Sequence, residues 1–135
     1  MSEENIEIVR QAVDAFAAGG LEALESATDL YATDVEFHEG AHLPEPGTYH
    51  GIDRIREYFR GFVDSFEHYS FEIEAIRGKE SMVVVVNRQR ARARGTMAEV
   101  EMRNAWLFTV TDGRISRIAA FPNAAEAFAA AGIDS

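Results

Sequence analysis

Apolar residues in the first half of the chain recur at the spacing of amphipathic helices. The first run is carried by Ile6, Val9, Val13 and Phe16. Residues three and four apart lie on one face of a helix, so this spacing predicts a helix over residues 3–18 that ends at Gly19-Gly20. A second run predicts a helix over residues 52–66, and it is carried by Ile52, Ile55, Phe59, Phe62 and Phe66.

Between these two helices the pattern is shorter and changes period. A brief helix is favoured by the spacing of Leu21, Leu24 and Leu30. Alternation of apolar and polar residues then predicts a strand over residues 35–39, with Val35, Phe37 and Glu39 on one face. Residues 40–51 contain several Gly and Pro residues and are typical of a loop.

From Tyr69 onward the apolar period is two, which indicates strands. Four strands are predicted, over residues 69–77, 81–94, 97–110 and 114–121. Asn123 with Glu126 three residues later predicts the start of a closing helix that ends at Gly132. This order predicts one α+β domain, residues 1–135, in which helices pack on one face of a curved, mostly antiparallel sheet and leave a blind, cone-shaped hydrophobic pocket.

A two-residue turn at Gly95-Thr96 would determine the register of the central hairpin. One face then carries Arg88, Arg90, Arg92 and Arg94, with Glu101 opposite Arg90, Glu99 opposite Arg92 and Met97 opposite Arg94. The other face pairs Ala91 with Val100, Gln89 with Met102, Asn87 with Asn104, Val85 with Trp106 and Val83 with Phe108. The hairpin is therefore predicted to have a charged face and an apolar face that contains three amides.

The segment RQRARAR on the charged face resembles a patch that binds nucleic acid or another anion. The predicted register places glutamates opposite two of the arginines, and such cross-strand pairs stabilise a sheet by about 0.2–1 kcal/mol each. We therefore favour a face of internal ion pairs over a nucleic-acid site. A subunit interface over this face is the better hypothesis for a partner.

The amides on the apolar face permit two interpretations. Burial of an amide without a partner costs about 1–3 kcal/mol. Asn87 and Asn104 could satisfy each other across the hairpin. Alternatively, they could line a pocket beside Gln89 and bind a polar group of a ligand.

Net charge limits the partners of the chain. Its 135 residues include 23 acidic and 13 basic side chains, which give a net charge of −10. A field of that sign repels phosphate backbones and anionic lipids, so neither nucleic acid nor a membrane is expected as a partner. The chain has no Cys, which excludes disulfides, thiolate catalysis and Cys-ligated zinc. Without an apolar signal segment or membrane span, we expect a cytoplasmic location.

Residues 38–42 (HEGAH) match the HExxH pattern of zinc proteases. That chemistry requires a helix, which brings the two histidines onto one face. In a strand, His38 and His42 would lie about 13 Å apart, too far to chelate one ion. The alternative is a looser loop site built from Glu45, His50 and His68. We favour loop and surface roles for these side chains and predict no metal.

Four segments carry a family resemblance: EENIEIVRQAVDAFAAGGLEAL, DVEFHE, GTYHGIDRIREYF and WLFTVTDGRISRIAAF. They resemble the SnoaL-like polyketide cyclase group of the nuclear transport factor two-like superfamily, which also contains ketosteroid isomerase. The resemblance implies a cone-shaped α+β barrel, usually dimeric, with a deep hydrophobic pocket for a small molecule. Members catalyse isomerisation, cyclisation, dehydration or epoxide hydrolysis, or only bind a ligand. The fold alone therefore does not identify the activity.

The resemblance also implies candidate catalytic residues. Ketosteroid isomerase has its general base, an Asp, at the place of Glu39, which the alternation above independently turns inward. Burial would raise the pKa of such a carboxyl and make it a better base near neutral pH, whereas a position at the loop edge would leave it in water. Of the isomerase's two oxyanion donors, the helix-one Tyr corresponds to Ala12 and is missing. The strand Asp falls near Asn104, whose amide can donate a hydrogen bond.

Other subfamilies fit less well. SnoaL cyclases have an acid–base Asp on a later strand, and epoxide hydrolases of this fold have an internal Asp-Arg-Asp cluster. The inward positions of the predicted hairpin carry neither. The orientation of Arg117 is left undecided. A two-residue turn at Asp112-Gly113 would point it inward beside Phe108, whereas a three-residue turn would point it outward.

We predict a hydrophobic pocket that runs past Glu39, Asn87, Gln89 and Asn104. Candidates for its lining, besides the amides, are Phe37, Tyr58, Phe59, Met102, Trp106 and Phe108. Tyr49 and His50 could close its mouth or donate to a ligand.

The leading hypothesis is an enzyme without a cofactor that acts on a small hydrophobic carbonyl compound. Glu39 would abstract a proton next to the carbonyl, and Asn104, with Asn87 or His50, would stabilise the oxyanion. The alternatives are a non-catalytic binding module and a dimerising structural domain. A homodimer is expected in each case.

Overall fold

The computed structural model describes residues 2–19, 22, 28–38, 47–64 and 66–133. The helices are α1 (Ser2–Gly19), α2 (Ile52–Asp64) and α3 (Ala124–Ala131), and a 3-10 turn spans Thr28–Leu30. The strands are β1 (Tyr31–His38), β2 (Thr48–His50), β3 (Phe66–Lys79), β4 (Met82–Ala93), β5 (Glu99–Thr111) and β6 (Arg114–Phe121). No helix of these described ranges is long and apolar enough to cross a membrane.

The six strands form one sheet in the order β2-β1-β6-β5-β4-β3. Neighbours are antiparallel except β1 and β6, which are parallel. Register irregularities in β1–β6, β3–β4 and β5–β6 bend the strands, as bulges do, and curve the sheet. The inner face packs against apolar side chains of α1 and α2, and the outer face is covered in part by α3. The predicted α+β class, with a curved, mostly antiparallel sheet, is confirmed.

Most predicted elements appear with shifted ends. The first, third and closing helices are confirmed, but Phe66, predicted as the last residue of the third helix, begins β3 instead. The strand predicted from residue 35 begins at Tyr31, and the predicted loop contains the short strand β2. Of the brief second helix, Leu30 lies in the 3-10 turn, while Leu21 and Leu24 lie outside the described residues.

The closing helix has the predicted caps. The Asn123 side chain accepts a hydrogen bond from the Glu126 backbone N–H at 2.9 Å and donates to the Glu126 carboxylate at 2.9 Å. At the other end Gly132 adopts a left-handed conformation with φ of 71°, which favours glycine. Both ends of α3 are therefore satisfied, and its residues Ala127, Phe128 and Ala131 pack on the outer face of β4 and β5.

The register predicted for the central hairpin is confirmed from Val83–Phe108 to Arg92–Glu99. The turn differs by one residue. The Thr96 N–H donates to the Ala93 carbonyl at 3.1 Å, so Arg94 and Gly95 are the central residues, and Gly95 has the positive φ of 82°. The register is preserved because the Ala93 N–H still bonds the Ala98 carbonyl at 3.3 Å.

Arg117 lies on the outer face because of a bulge in β6, and not because of the length of the preceding turn. The turn at Asp112-Gly113 has two residues, with Thr111 opposite Arg114. A bulge then places Ser116 between the Val110–Ile115 and Thr109–Arg117 pairs, and its hydroxyl bonds the Thr109 carbonyl at 3.2 Å. This extra residue reverses the alternation, so Ile118 rather than Arg117 faces inward opposite Phe108.

Candidate functional site

A small apolar cavity lies between the inner face of the sheet and the helices α1 and α2. Its lining consists of nine buried residues: Ala12, Val13, Phe16, Tyr31, Ile55, Phe59, Trp106, Phe108 and Ile118. The helical residues face it because they are three or four apart, and Trp106 and Phe108 face it because they alternate along β5. The cavity volume is about 20 Å³, which is room for roughly one water molecule.

Tyr31 contributes the one hydroxyl of this lining. Its side chain belongs to the start of β1, and the residue is only 7% exposed. Burial raises the pKa of the Tyr31 hydroxyl to about 12. The hydroxyl forms no hydrogen bond to another described residue, but it is not one of the buried polar atoms that lack a partner, so it does not carry the cost of an unsatisfied buried group.

Sequence reasoning missed Tyr31, although a signal existed. The alternation of Val35 and Phe37 continues backwards through position 33 to Tyr31, but the predicted strand begins only at residue 35. A strand of eight residues instead of five would have placed Tyr31 on the inner face.

An aromatic cluster of Phe37, Tyr49, Tyr58 and Phe59 borders the cavity on the side of β2 and α2. Phe37 lies opposite Tyr49 in the β1–β2 pair. The ring centroids of Tyr49 and Tyr58 are 4.7 Å apart, and those of Phe37 and Phe59 are 5.1 Å apart. The structure therefore brings three predicted pocket residues, Phe37, Tyr49 and Tyr58, next to Phe59, which lines the cavity.

Trp106 is held firmly at the other side of the cavity. Its ring stacks on that of Phe71 with centroids 5.1 Å apart and an interplanar angle of 26°. The rings of Phe16 and Phe59 lie edge-on or tilted against it at 6.3 and 5.9 Å. Trp106 and Phe108, like Phe59, are predicted pocket residues that line the cavity directly.

Beyond the Trp106–Phe71 stack, the inner face carries an amide cluster of Tyr69, Asn87, Gln89 and Asn104. The Tyr69 hydroxyl donates to Gln89 Oε1. Gln89 Nε2 donates to Asn87 Oδ1 at 3.0 Å and to Asn104 Oδ1 at 3.3 Å, and Asn87 Nδ2 reaches the Val85 carbonyl at 3.5 Å. Burial raises the pKa of Tyr69.

The amide cluster is thus connected by the chain's own hydrogen bonds. Asn87 and Gln89 are 0% and 2% exposed, whereas Asn104 is half-buried. Gln89 links the two asparagines, which do not bond each other directly. Met102, opposite Gln89, is half-buried beside them. The structure brings the predicted amides together, but none of them lines the cavity.

The predicted catalytic residues are not all brought to one place. Glu39 lies outside the described residues. His50 lies opposite Glu36, which alternates with the inward-facing Val35 and Phe37, so His50 belongs to the outer face. Its side chain is 71% exposed, and its Nδ1 is 3.8 Å from Glu36 Oε1. This position does not bring His50 to Asn104.

Of the HExxH pattern the structure describes His38, which lies on the same edge of the sheet as His50. His38 Nε2 is 3.4 Å from Glu36 Oε1, and His38 Nδ1 is 3.1 Å from Thr48 Oγ1. His42, Glu45 and the side chain of His68 lie outside the described part of the chain. Within that part, no group of three or more His, Asp or Glu side chains is arranged to hold a metal ion.

The charged face of the central hairpin forms ion pairs within the chain. Three of them join Arg88 to Glu72 at 2.6 Å, Arg90 to Glu101 at 3.7 Å and Arg103 to Glu74 at 3.6 Å. The hydrogen bond and charge of Arg88 lower the pKa of Glu72. Glutamates from β3 as well as β5 therefore accompany the arginines, and the β3 contribution was not foreseen.

Comparisons with known proteins bear on this cavity. A family model for the SnoaL-like domain matches residues 9–118, a range that contains all nine lining residues. An uncharacterized protein of Mycobacterium tuberculosis strain H37Rv is 31% identical over 133 residues, which cover 93% of this chain and 96% of that protein.

Solved structures share the fold at lower identity. A Jannaschia sp. CCS1 protein named for the SnoaL-like polyketide cyclases has a TM-score of 0.74 at 16% identity, with 100% of this chain and 96% of that chain covered. TerC, co-crystallised with polyporic acid, has a TM-score of 0.70 at 20% identity, with 95% and 97% covered. Further structures at TM-scores of 0.73 are named NTF2-like proteins of Burkholderia species.

Proposed function

We propose that this chain, which belongs to the SnoaL-like domain family, binds a small, neutral, mostly apolar molecule in the cavity on the inner face of its sheet. The observation that carries the proposal is the cavity itself, enclosed by aromatic and aliphatic side chains from α1, α2 and three strands. The fold family binds small hydrophobic ligands. TerC, a protein of this fold, was crystallised with polyporic acid.

The lining favours an uncharged ligand. None of its nine residues carries a charge. A charged ligand would lose its hydration there without gaining a partner, which costs far more than apolar contacts return. An apolar ligand gains about 0.8 kcal/mol for each methylene group transferred from water.

Binding requires the rings around the cavity to move. Ligand sites usually enclose about 300–1,000 Å³, whereas this cavity has about 20 Å³. Trp106 is fixed by its stack on Phe71, but Tyr49 and Tyr58 are half-buried, and Tyr49 belongs to a strand of three residues at the sheet edge. We therefore propose that a ligand enters between β2 and α2 as these two rings move aside.

A thermal-shift screen with small ketones, steroids and aromatic polyketides at pH 6 and pH 8 tests the proposal. A ligand at about a hundred times its Kd adds about 2.7 kcal/mol of stability, a shift of roughly 8 °C for a chain of this length. The matched control is Ala12→Leu, which fills the cavity from α1 and should lose the shift. No shift with any compound, or equal shifts in the control, would contradict a ligand site in this cavity.

Catalysis is the second candidate function, favoured by the name of the Jannaschia structure. Glu39 would take a proton from the carbon next to a carbonyl, and the electron pair would move to the carbonyl oxygen as an enolate. Asn104 would stabilise that oxygen, since its Oδ1 is engaged by Gln89 and its Nδ2 remains to donate. No cofactor is needed for this step.

Exchange of the α-hydrogens of 1-indanone with D₂O, followed by NMR, tests this candidate. The base is needed only in the transition state, so Glu39→Gln should reduce the exchange to the background rate and leave the Kd within about tenfold. Exchange that survives the substitution would leave the binding proposal and remove the catalytic one. The expected homodimer stays a prediction, which sedimentation of the full chain would test.

A further inference from the structure

We propose that Glu36, His38 and His50, here called the histidine cluster, hold the edge strand β2 on β1 more firmly in mildly acidic than in neutral solution. This inference rests on the proposed function, in which a ligand enters the cavity between β2 and α2. It adds a control of that entry by pH.

One carboxylate oxygen joins the three side chains of the histidine cluster. Glu36 Oε1 is 3.4 Å from Nε2 of His38 on its own strand and 3.8 Å from Nδ1 of His50 on β2. His38 also reaches β2, because its Nδ1 is 3.1 Å from Thr48 Oγ1. Since His50 is opposite Glu36 and Thr48 is opposite His38, these contacts connect β1 to β2 at both ends of their short pairing.

The Nε2 atom of His38 shows that these contacts depend on charge. It is a buried polar atom with no hydrogen-bond partner among the described residues, and such atoms call for an explanation. Glu36 Oε1 is near it but not aligned for a hydrogen bond, so a neutral imidazole gains little from this neighbour. A protonated imidazole gains more, because the attraction between opposite charges depends chiefly on their distance.

The charges of the histidine cluster determine the pH range of the effect. Histidines ordinarily gain a positive charge between pH 8 and pH 5, whereas carboxylates lose their charge only below about pH 4. We therefore expect the attraction between Glu36 and the two histidines to be present near pH 5.5 and to be lost as the pH rises to 7.5.

Other charged side chains on the adjoining elements act at both pH values. They are Asp34 on β1, Arg117 of β6, which is opposite Glu36, and Asp53 at the start of α2, which pairs with Arg56 at 3.2 Å. Arginines and carboxylates ordinarily keep their charge between pH 5 and pH 8, so these groups provide a constant field and not the change.

The histidine cluster is connected to the cavity through Tyr49. Successive side chains of a strand point to opposite faces, so the residues on either side of Tyr49 lie on the outer face while its ring lies on the inner face. There Tyr49 is opposite Phe37, and its ring centroid is 4.7 Å from that of Tyr58 on α2. A firmer attachment of β2 therefore also holds the Tyr49 ring beside Tyr58, across the proposed path of entry.

Hydrogen exchange of the Gly51 N–H in the full chain, followed by NMR, tests the inference without a ligand. Gly51 follows β2 directly, and its N–H donates to the Val35 carbonyl at 2.7 Å, so it exchanges when β2 leaves β1. The protection factor corrects for the effect of pH on the exchange chemistry itself. Because two partly exposed ion pairs are involved, we expect this factor to be about two- to tenfold larger at pH 5.5 than at pH 7.5.

Two variants show whether Glu36 causes the difference. Glu36→Gln keeps the size of the side chain but removes its charge, so its protection factor should be the same at both pH values. Asp34→Asn removes an exposed carboxylate from the same strand and is the matched control, which should behave as the wild type. Equal protection at the two pH values in the wild type, or an unchanged ratio in Glu36→Gln, overturns the inference.

Stopped-flow fluorescence of Trp106, the single Trp of the chain, measures the entry of 1-indanone into the cavity. Its association rate should be two- to tenfold lower at pH 5.5 than at pH 7.5 in the wild type, and equal at the two values in Glu36→Gln. A rate independent of pH would overturn the control of entry. If neither 1-indanone nor any compound of the thermal-shift screen binds, the proposed function fails, while the exchange of Gly51 still decides whether the histidine cluster holds β2.

Discussion

Two regions of the inner sheet face each contain a tyrosine side chain, and the hydroxyls of the two tyrosines differ in their partners. In the amide cluster, Tyr69 donates to Gln89, which in turn donates to both asparagines. In the cavity, Tyr31 lies among hydrocarbon side chains and has no partner in the described part of the chain. The difference separates two roles of a tyrosine side chain: Tyr69 connects strands of the sheet through hydrogen bonds, whereas Tyr31 contributes its ring to the apolar lining of the cavity.

The largest expected effect breaks the amide cluster at its centre. Gln89→Leu keeps the volume of the side chain but removes the donor to Asn87 and Asn104 and the acceptor for Tyr69. Because Asn87, Asn104 and Tyr69 each lose a hydrogen bond, we expect the free energy of unfolding to fall by about 3–5 kcal/mol. Urea denaturation measures this change.

Met102→Leu is the control for that experiment, because Met102 lies opposite Gln89 and an exchange of similar volume costs less than about 1.5 kcal/mol. A Gln89→Leu variant as stable as the control would show that the amide hydrogen bonds do not hold the strands together.

The pH dependence of stability above pH 10 tests how Tyr31 differs from Tyr69. Burial raises its pKa from 10.0 to about 12, so the neutral hydroxyl is favoured in the folded state. Its contribution to stability is complete below pH 10, the unfolded value, and is lost as the pH rises towards 12. A two-unit shift corresponds to about 2–3 kcal/mol.

Tyr31→Phe should therefore lose less stability than the wild type between pH 10 and pH 12, as measured by urea denaturation at fixed pH. The Tyr69→Phe, Tyr31→Phe double variant should lose still less, since burial raises the pKa of Tyr69 as well. Parallel curves for all three proteins would mean that neither hydroxyl is buried as described.

The same comparison shows what a sequence can predict. Alternation along residues 83–108 was enough to place Asn87 opposite Asn104 and Trp106 opposite Val85, because a one-residue slip would have moved charged side chains into the core. The link through Gln89 was not predictable, since it also depends on Tyr69, which is positioned by a register irregularity between Glu67 and Ser70. Local geometry of this kind leaves no periodic signal.

The cavity was harder to foresee than the amide cluster. Its residues come from two helices and three strands, so no single segment displays them together. The bulge at Ser116 determines that Ile118 rather than Arg117 completes the lining, and a bulge is decided by hydrogen bonds and not by hydrophobic spacing. The predicted pocket therefore followed the hairpin, where the sequence pattern was clear, and omitted Tyr31.

At neutral pH, removal of each hydroxyl on its own should change the free energy of unfolding by less, but it compares the two tyrosines directly. Tyr69→Phe leaves Gln89 Oε1 without that donor, and we expect a loss of about 1–2 kcal/mol in the free energy of unfolding. Tyr31→Phe removes a group that has no partner to lose, so its effect should be near zero or slightly stabilising. Equal losses in the two variants would show that Tyr31 is satisfied in the folded protein, which would remove the contrast.

The smallest expected effect concerns the outer face, where polar groups meet water. Arg88 lies 2.6 Å from Glu72 and lowers its pKa from the ordinary value of 4.5. A lowered folded-state pKa means that the pair's contribution is present above pH 4.5 and is lost as the pH falls through the lowered value. Because Glu72 is exposed, water and salt screen the pair, so Glu72→Gln should change stability at pH 7 by less than Gln89→Leu or Tyr69→Phe does. Below pH 4.5 the Glu72→Gln variant should lose stability slightly less steeply than the control. The control is Glu57→Gln, which changes an exposed carboxylate on α2. If Glu72→Gln lost stability in acid as steeply as Glu57→Gln does, the Arg88–Glu72 pair would contribute nothing to stability. The stabilising polar contacts of this sheet would then be those of its inner face.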